Sequence, residues 1–83
     1  MKTLLFTSPT CAPCKQMKMD LAAIGIGAEI TPVDVSRPEN ADLLSTYGVR
    51  SVPTIIFLDD DEEIVKVRVG YTGDTKDLQE LFK

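Results

Sequence analysis

Apolar positions in this chain fall into two alternating patterns, short continuous runs and short stripes of helical spacing. Residues 2–7, KTLLFT, are an apolar run closed by Ser8-Pro9, which predicts a short buried strand. Cys14, Met17, Leu21 and Ile24 then recur at spacings of three, four and three, one face of a helix. Lys15, Lys18 and Asp20 fall off that stripe, so Asp20 reads as a solvated helix-face acid, and Gly25 and Gly27 are stop signals. The stripe turns Cys14 inward and leaves Cys11 at the mouth of the helix, facing out. Residues 29–35, EITPVDV, read as a second strand, placed at an edge by Pro32. Ser36 is a candidate N-cap and Pro38 a first-turn proline, before Ala41, Leu44 and Tyr47 mark one face of a short helix that Gly48 ends. Residues 54–58, TIIFL, are continuously apolar, as a strand covered on both faces should be. In residues 64–69, IVKVRV, three valines alternate with Lys66 and Arg68, a strand with one wet face. Asp74 fits an N-cap, and Leu78, Leu81 and Phe82 share a side of a final helix. The predicted order is β-α-β-α-β-β-α, an α/β chain.

Length allows one small domain, expected over residues 1–83. The formal net charge is −4, which removes the electrostatic case for nucleic-acid binding. Asp59, Asp60, Asp61, Glu62 and Glu63 supply five of the 13 acids in one run, so the remainder is near neutral and the run reads as a solvated turn tip. Fully apolar stretches such as Leu4–Phe6 and Ile55–Leu58 fall far short of the roughly 20 residues that span a membrane. The start, MKTLLF, lacks the apolar region of about 7–15 residues that a secretory signal needs, so a cytoplasmic location and no membrane partner are expected. In a reducing cytoplasm a cysteine pair is more often catalytic or metal-binding than a permanent bridge.

The chain has two cysteines, three apart in TSPTCAPCKQM, residues 7–17, and no histidine. A structural zinc site takes four ligands, most often Cys or His, and nothing here is spaced to complete one, so no metal is expected. A permanent staple closing a loop of about four residues would contribute only about 2 kcal/mol. A redox pair uses the whole stretch. Helix positions i and i+3 lie about 5–6 Å apart at Cβ, within the separation a disulfide spans, so the bond opens and closes with little backbone movement. Pro13 loses nothing by lacking an N–H in the first turn. The free N–H groups and dipole of the helix start favour a thiolate at Cys11, with Lys15 one turn on. For a generic thiol brought from about 8.5 to about 7, the thiolate fraction at pH 7 rises from about 3 % to about 50 %. Intrinsic nucleophilicity falls roughly fivefold, so attack gains only about threefold; the larger benefit is that a low-pKa thiol leaves faster.

These residues resemble the thioredoxin family. CAPC at 11–14, followed by Lys15, is similar to its active-site pattern. YGVRSVPTIIFL, 47–58, is similar to the segment leading into its cis-proline and central strand, and KVRVGYTGDTKDLQELF, 66–82, to its last strand, glycine and final helix. The resemblance covers residues 2–83 and implies a minimal thioredoxin fold, a central four-stranded mixed sheet flanked by three helices. It implies thiol–disulfide oxidoreductase activity, a reductant of protein disulfides with Cys11 and Cys14 catalytic and forming the redox-active disulfide. Ala12, Pro13 and Lys15 support them. Val52, Pro53 and Gly70 contact substrate, with a cis bond before Pro53 and the Val52 backbone offered to a peptide. The implied partners are disulfide-containing proteins and, as electron source, a thioredoxin-type reductase or glutathione; no cofactor is needed, and a monomer is expected.

Several positions depart from the family. The resemblance, over residues 2–83, does not take in the N-terminal strand and helix of full-length members. Leu5 stands where they carry a buried aspartate, and Thr10 where they carry a tryptophan, so proton handling at Cys14 falls to water or another group. A glutathione-dependent, glutaredoxin-like alternative rests on Lys15, Lys18 and Arg50 as carboxylate partners and on Thr72-Gly73-Asp74 as a binding turn; against it, Pro13 stands where glutaredoxins carry a tyrosine. A thioredoxin-fold binding module without thiol chemistry is the other alternative.

Overall fold

A computed structural model describes residues 2–26 and 30–82. The elements are β1 (Lys2–Thr7), α1 (Ala12–Ala23), β2 (Ile30–Asp34), a 3-10 turn (Pro38–Asn40) running into α2 (Ala41–Tyr47), β3 (Thr54–Leu58), β4 (Ile64–Val69) and α3 (Thr75–Leu81). Gly27 and Glu29, expected to end the first helix and open the second strand, lie outside the described residues. The sheet order is β2-β1-β3-β4. β1 runs parallel to β2 and antiparallel to β3, and β3 antiparallel to β4.

The two apolar strands are central because both of their faces are covered. Along β1 and β3 the side chains alternate between two cores. Leu5, Ile55 and Phe57 meet Met17 and Leu21 of α1 and Leu78 and Leu81 of α3. Leu4, Phe6, Ile56 and Leu58 lie in the other core with Val33, against Leu43, Leu44 and Tyr47 of α2. Thus α1 and α3 cover one face and α2 the other, and each fully buried Leu, Ile or Met contributes about 2 kcal/mol. Ala41, expected on the inner face of α2, is exposed, and Leu43 packs there instead. Ile24 follows the last helical residue and packs at the core margin, with Gly25 at φ +81° ending the helix.

The outer strands behave differently. Pro32, paired with Leu5, sits on the edge strand β2, where its missing N–H leaves no ladder bond unmade on the outer side. On β4 the expected single wet face is not found, because both faces are exposed: Val65, Val67 and Val69 are 57, 45 and 60 % exposed on one, and Ile64 and Lys66 are exposed on the other. Lys66 and Arg68 point toward α3. The Lys66 ammonium lies 5.5 Å above the Phe57 ring and donates to the Leu81 carbonyl, and Arg68 pairs with Asp77. Their apolar stems cover the core margin, and the Lys66 head meets the carbonyl end of α3, where positive charge is favoured. A bulge between Phe57 and Leu58 shifts the β3–β4 register at the approach to the acidic turn. There Asp59 Oδ1 accepts the N–H groups of Asp61 and Glu63.

Ser36 does not cap the turn at Pro38. Its N–H and hydroxyl both bond Asp34 Oδ1, and Arg37 occupies the cap position. These hydrogen bonds, followed by the nearby charges of Arg37 and Lys18, hold the Asp34 carboxyl below its ordinary range. Asp74 does cap α3, accepting from the N–H groups of Lys76 and Asp77.

Candidate active site

The β1–α1 connection is ordered by its own polar groups. The Cys11 N–H donates to the Ser8 carbonyl at 3.1 Å, and the Ser8 and Thr10 hydroxyls lie 3.1 Å apart. Thr10 is exposed at the mouth of the site. Cys11 is the N-cap of α1, with extended backbone, and its Sγ accepts the Cys14 N–H at 3.2 Å. Sulfur here takes the place an oxygen fills in most N-caps. Ala12 and Pro13 occupy the first two helical positions, and the first turn holds no acid to compete with a thiolate.

The Cys11 and Cys14 sulfurs are joined, with Cα atoms 5.2 Å apart. Cys14 is 1 % exposed beneath the helix, whereas Cys11 is half-buried at its mouth and Lys15 is exposed. Once the bond is reduced, the Cys14 N–H would meet a charged acceptor, and charge-assisted hydrogen bonds are roughly twice as strong as neutral ones. Leu5 is 2 % exposed within the core on the α1 side, so its position offers no carboxylate for proton transfer.

Between α2 and β3 the chain passes through Val52, half-buried, into a cis peptide bond and a buried Pro53. The Thr54 hydroxyl donates to the Ser51 carbonyl at 2.7 Å and steadies this loop. Gly70 donates its N–H to the Pro53 carbonyl at 2.8 Å. Its φ of +83° favours glycine, and a Cβ added there would meet open space. Val52, Pro53 and Gly70 thus form one connected stretch of backbone.

Some sequence-predicted groups are not brought together. Lys18 borders a groove of about 580 Å³ with Leu5, Leu21, Ala22, Gly25, Ile30 and Pro32, on the α1 side. Arg50 borders a separate cleft of about 200 Å³ with Val35, Leu44 and Val49, on the α2 side. Asp74, in the binding turn of the glutathione reading, spends its carboxylate on the α3 cap. Among the described residues no cluster of three or more Cys, Asp or Glu is placed to hold a metal ion.

One polar contact of the site had no signal in the sequence. The Tyr71 hydroxyl donates to Asp20 Oδ2, and Gln16 Nε2 donates to Asp20 Oδ1 at 2.9 Å. Asp20 is therefore a partly buried, doubly bonded acid rather than a solvated one. Burial first, then the bond to Asp20 and its charge, push the Tyr71 phenol up to about 12.

The sequence profile of the thioredoxin-like domain family matches residues 2–83. The chain belongs to the thioredoxin family. It is 37 % identical over 81 residues to thioredoxin H5 of Oryza sativa subsp. japonica, covering 96 % of this chain and 58 % of that one. It is 35 % identical to the thioredoxin of Bacillus subtilis (strain 168), covering 92 % and 73 % respectively. A single-site mutant of the thioredoxin of Halobacterium salinarum superposes with a TM-score of 0.76 at 31 % identity, covering 95 % of this chain and 68 % of that structure. The chain thus spans between about three fifths and three quarters of these thioredoxins' lengths. In this thioredoxin-family domain Cys11 and Cys14, with two residues between them, stand as a joined CxxC pair at the start of α1.

Proposed function

We propose that the chain reduces disulfide bonds in other proteins through a cycle in which Cys11 is the attacking sulfur and Cys14 the resolving one. The difference in exposure between the two sulfurs supports this reading: Cys11 reaches the mouth of the helix, while Cys14 is buried beneath it. The Cys11 thiolate attacks one substrate sulfur and forms a mixed disulfide, and the other substrate sulfur leaves as a thiolate that takes a proton. Cys14, deprotonated, then attacks Cys11 Sγ. The Cys11–Cys14 bond forms, the mixed disulfide breaks, and the second substrate sulfur leaves and is protonated. The dithiol has lost two electrons and two protons, and the substrate has gained both.

Ala12, Pro13 and Lys15 support the pair by keeping the helix start rigid and free of negative charge. Val52 presents its backbone to an extended substrate segment, with Pro53 and Gly70 flanking it. A thioredoxin-type reductase returns the electrons in the cytoplasm. This donor is favoured over glutathione because Lys18 and Arg50 line clefts on opposite sides of the sheet and Asp74 is engaged as a helix cap. Insulin reduction driven by dithiothreitol tests the reading. Wild-type protein accelerates it, Cys11→Ser abolishes the acceleration, and Cys14→Ser accumulates a mixed disulfide at Cys11. Trapping by Cys11→Ser instead would reverse the two roles. A resupply assay with glutathione alone or reductase alone identifies the donor.

A further inference from the structure

Residues 70 and 71 hold two different parts of the site. Gly70 ties to the loop before β3 through its N–H and the Pro53 carbonyl, 2.8 Å apart. Tyr71, the next residue, ties to α1 through its hydroxyl and Asp20 Oδ2. α1 is the helix whose first turn carries both cysteines, and Asp20 is held in turn by Gln16 one helical turn nearer to them. A short path therefore runs from Pro53 through Gly70 and Tyr71 to Asp20 and the cysteine helix.

The packing of Tyr71 does not require this arrangement. The ring lies against the core formed by Leu5, Met17, Leu21 and Leu78, where a phenylalanine would bury the same surface. The hydroxyl and the carboxylate both lose water in forming the contact, a cost that a phenylalanine and an outward-turned acid would avoid. What the pair adds is a directional link between two segments 51 residues apart in sequence. Both segments must meet a protein substrate at once, because its sulfur reaches Cys11 while its backbone lies along Val52.

We propose that Asp20 and Tyr71 are positioning residues that set the distance between the cysteine helix and the peptide-binding loop at Val52–Pro53, and so govern the use of protein disulfides. This rests on the reductase reading above. A small disulfide engages Cys11 alone and is indifferent to that distance, whereas a protein disulfide depends on it.

The test compares wild type, Tyr71→Phe and Asp20→Asn on insulin and on a small aromatic disulfide, with the Cys11–Cys14 redox equilibrium against glutathione as a third measurement. Loss of a hydrogen bond to a charged group predicts that each variant raises KM for insulin about five- to tenfold with kcat little changed. The rate with the small disulfide and the redox equilibrium should move less than about twofold. The double variant should lose no more than either single one, because both remove one contact. Unchanged insulin kinetics, or equal losses on both disulfides, would overturn the proposal. Should Tyr71→Phe fold poorly, Asp20→Asn and the conservative Asp20→Glu carry the same comparison, and a protein-specific KM defect larger in Asn than in Glu is the supporting result. Wild-type protein inactive on both disulfides would sink the reductase reading itself, a result distinct from failure of the positioning role.

Discussion

Tyr71 shows how a single side chain records its surroundings. Its phenol holds its proton more tightly in the folded chain than at its ordinary value of 10.0, because burial and the neighbouring Asp20 carboxylate both oppose a phenolate. The folded state therefore binds more protons than the unfolded one between about pH 10 and about pH 12. The associated stability is complete below pH 10 and is lost as pH rises toward 12. Urea denaturation of wild type and Tyr71→Phe at pH 8, 10 and 11 should show wild type losing stability relative to the variant at the highest pH. A constant difference across the three would contradict this account of the phenol. Leu5 carries the opposite lesson: a fully apolar side chain at this depth cannot accept or donate a proton, so the position contributes packing alone.

At the scale of elements, each helix is bounded by local chemistry. Cys11 caps α1 with sulfur, Gly48 ends α2 in a left-handed conformation, and Asp74 caps α3 with a carboxylate. The last of these is seven residues long and too short to persist alone, so its cap and its two buried leucines act together. Asp74→Ala should lower stability by about 1 kcal/mol while leaving the thiol chemistry of α1 intact. Chemical denaturation and the small-disulfide rate measure the two sides of that statement. A larger loss of activity than of stability would give Asp74 a part in the site, as the glutaredoxin-like alternative requires.

For the whole molecule, burial is concentrated in β1, β3 and the inner faces of the helices, and the outer strands are thinly covered. Met17 is fully buried in the core shared by α1 and α3, whereas Val67 is 45 % exposed on β4. Met17→Ala should therefore cost about 3 kcal/mol and Val67→Ala less than about 1 kcal/mol, as read by urea denaturation. Similar losses at the two positions would mean that the valine face is covered in solution. The candidate site lies where the well-packed and loosely packed parts meet: Cys11 caps a helix rooted in the core, while the backbone at Val52 and Gly70, proposed above to face substrate, sits where the chain leaves it.

The local pattern was sufficient wherever the cause was local. The stripe through Cys14, Met17 and Leu21 stated which cysteine would be buried. The unbroken apolar run at 54–58 stated that β3 would be covered on both sides, and Asp74 and Gly48 marked helix ends, because periodicity and capping involve residues within a few positions of one another. The spacing of the two cysteines, with the motifs at 47–58 and 66–82, carried the family. Tertiary structure alone decided that β4 stays exposed on both faces with Lys66 and Arg68 turned toward α3, since alternation states that two faces differ but not where the helices lie. Only the assembled chain turned Asp20 from a surface acid into the partner of Tyr71, and only it placed Lys18 and Arg50 on opposite sides of the sheet. Those outcomes depend on contacts between segments distant in sequence, which no local spacing encodes.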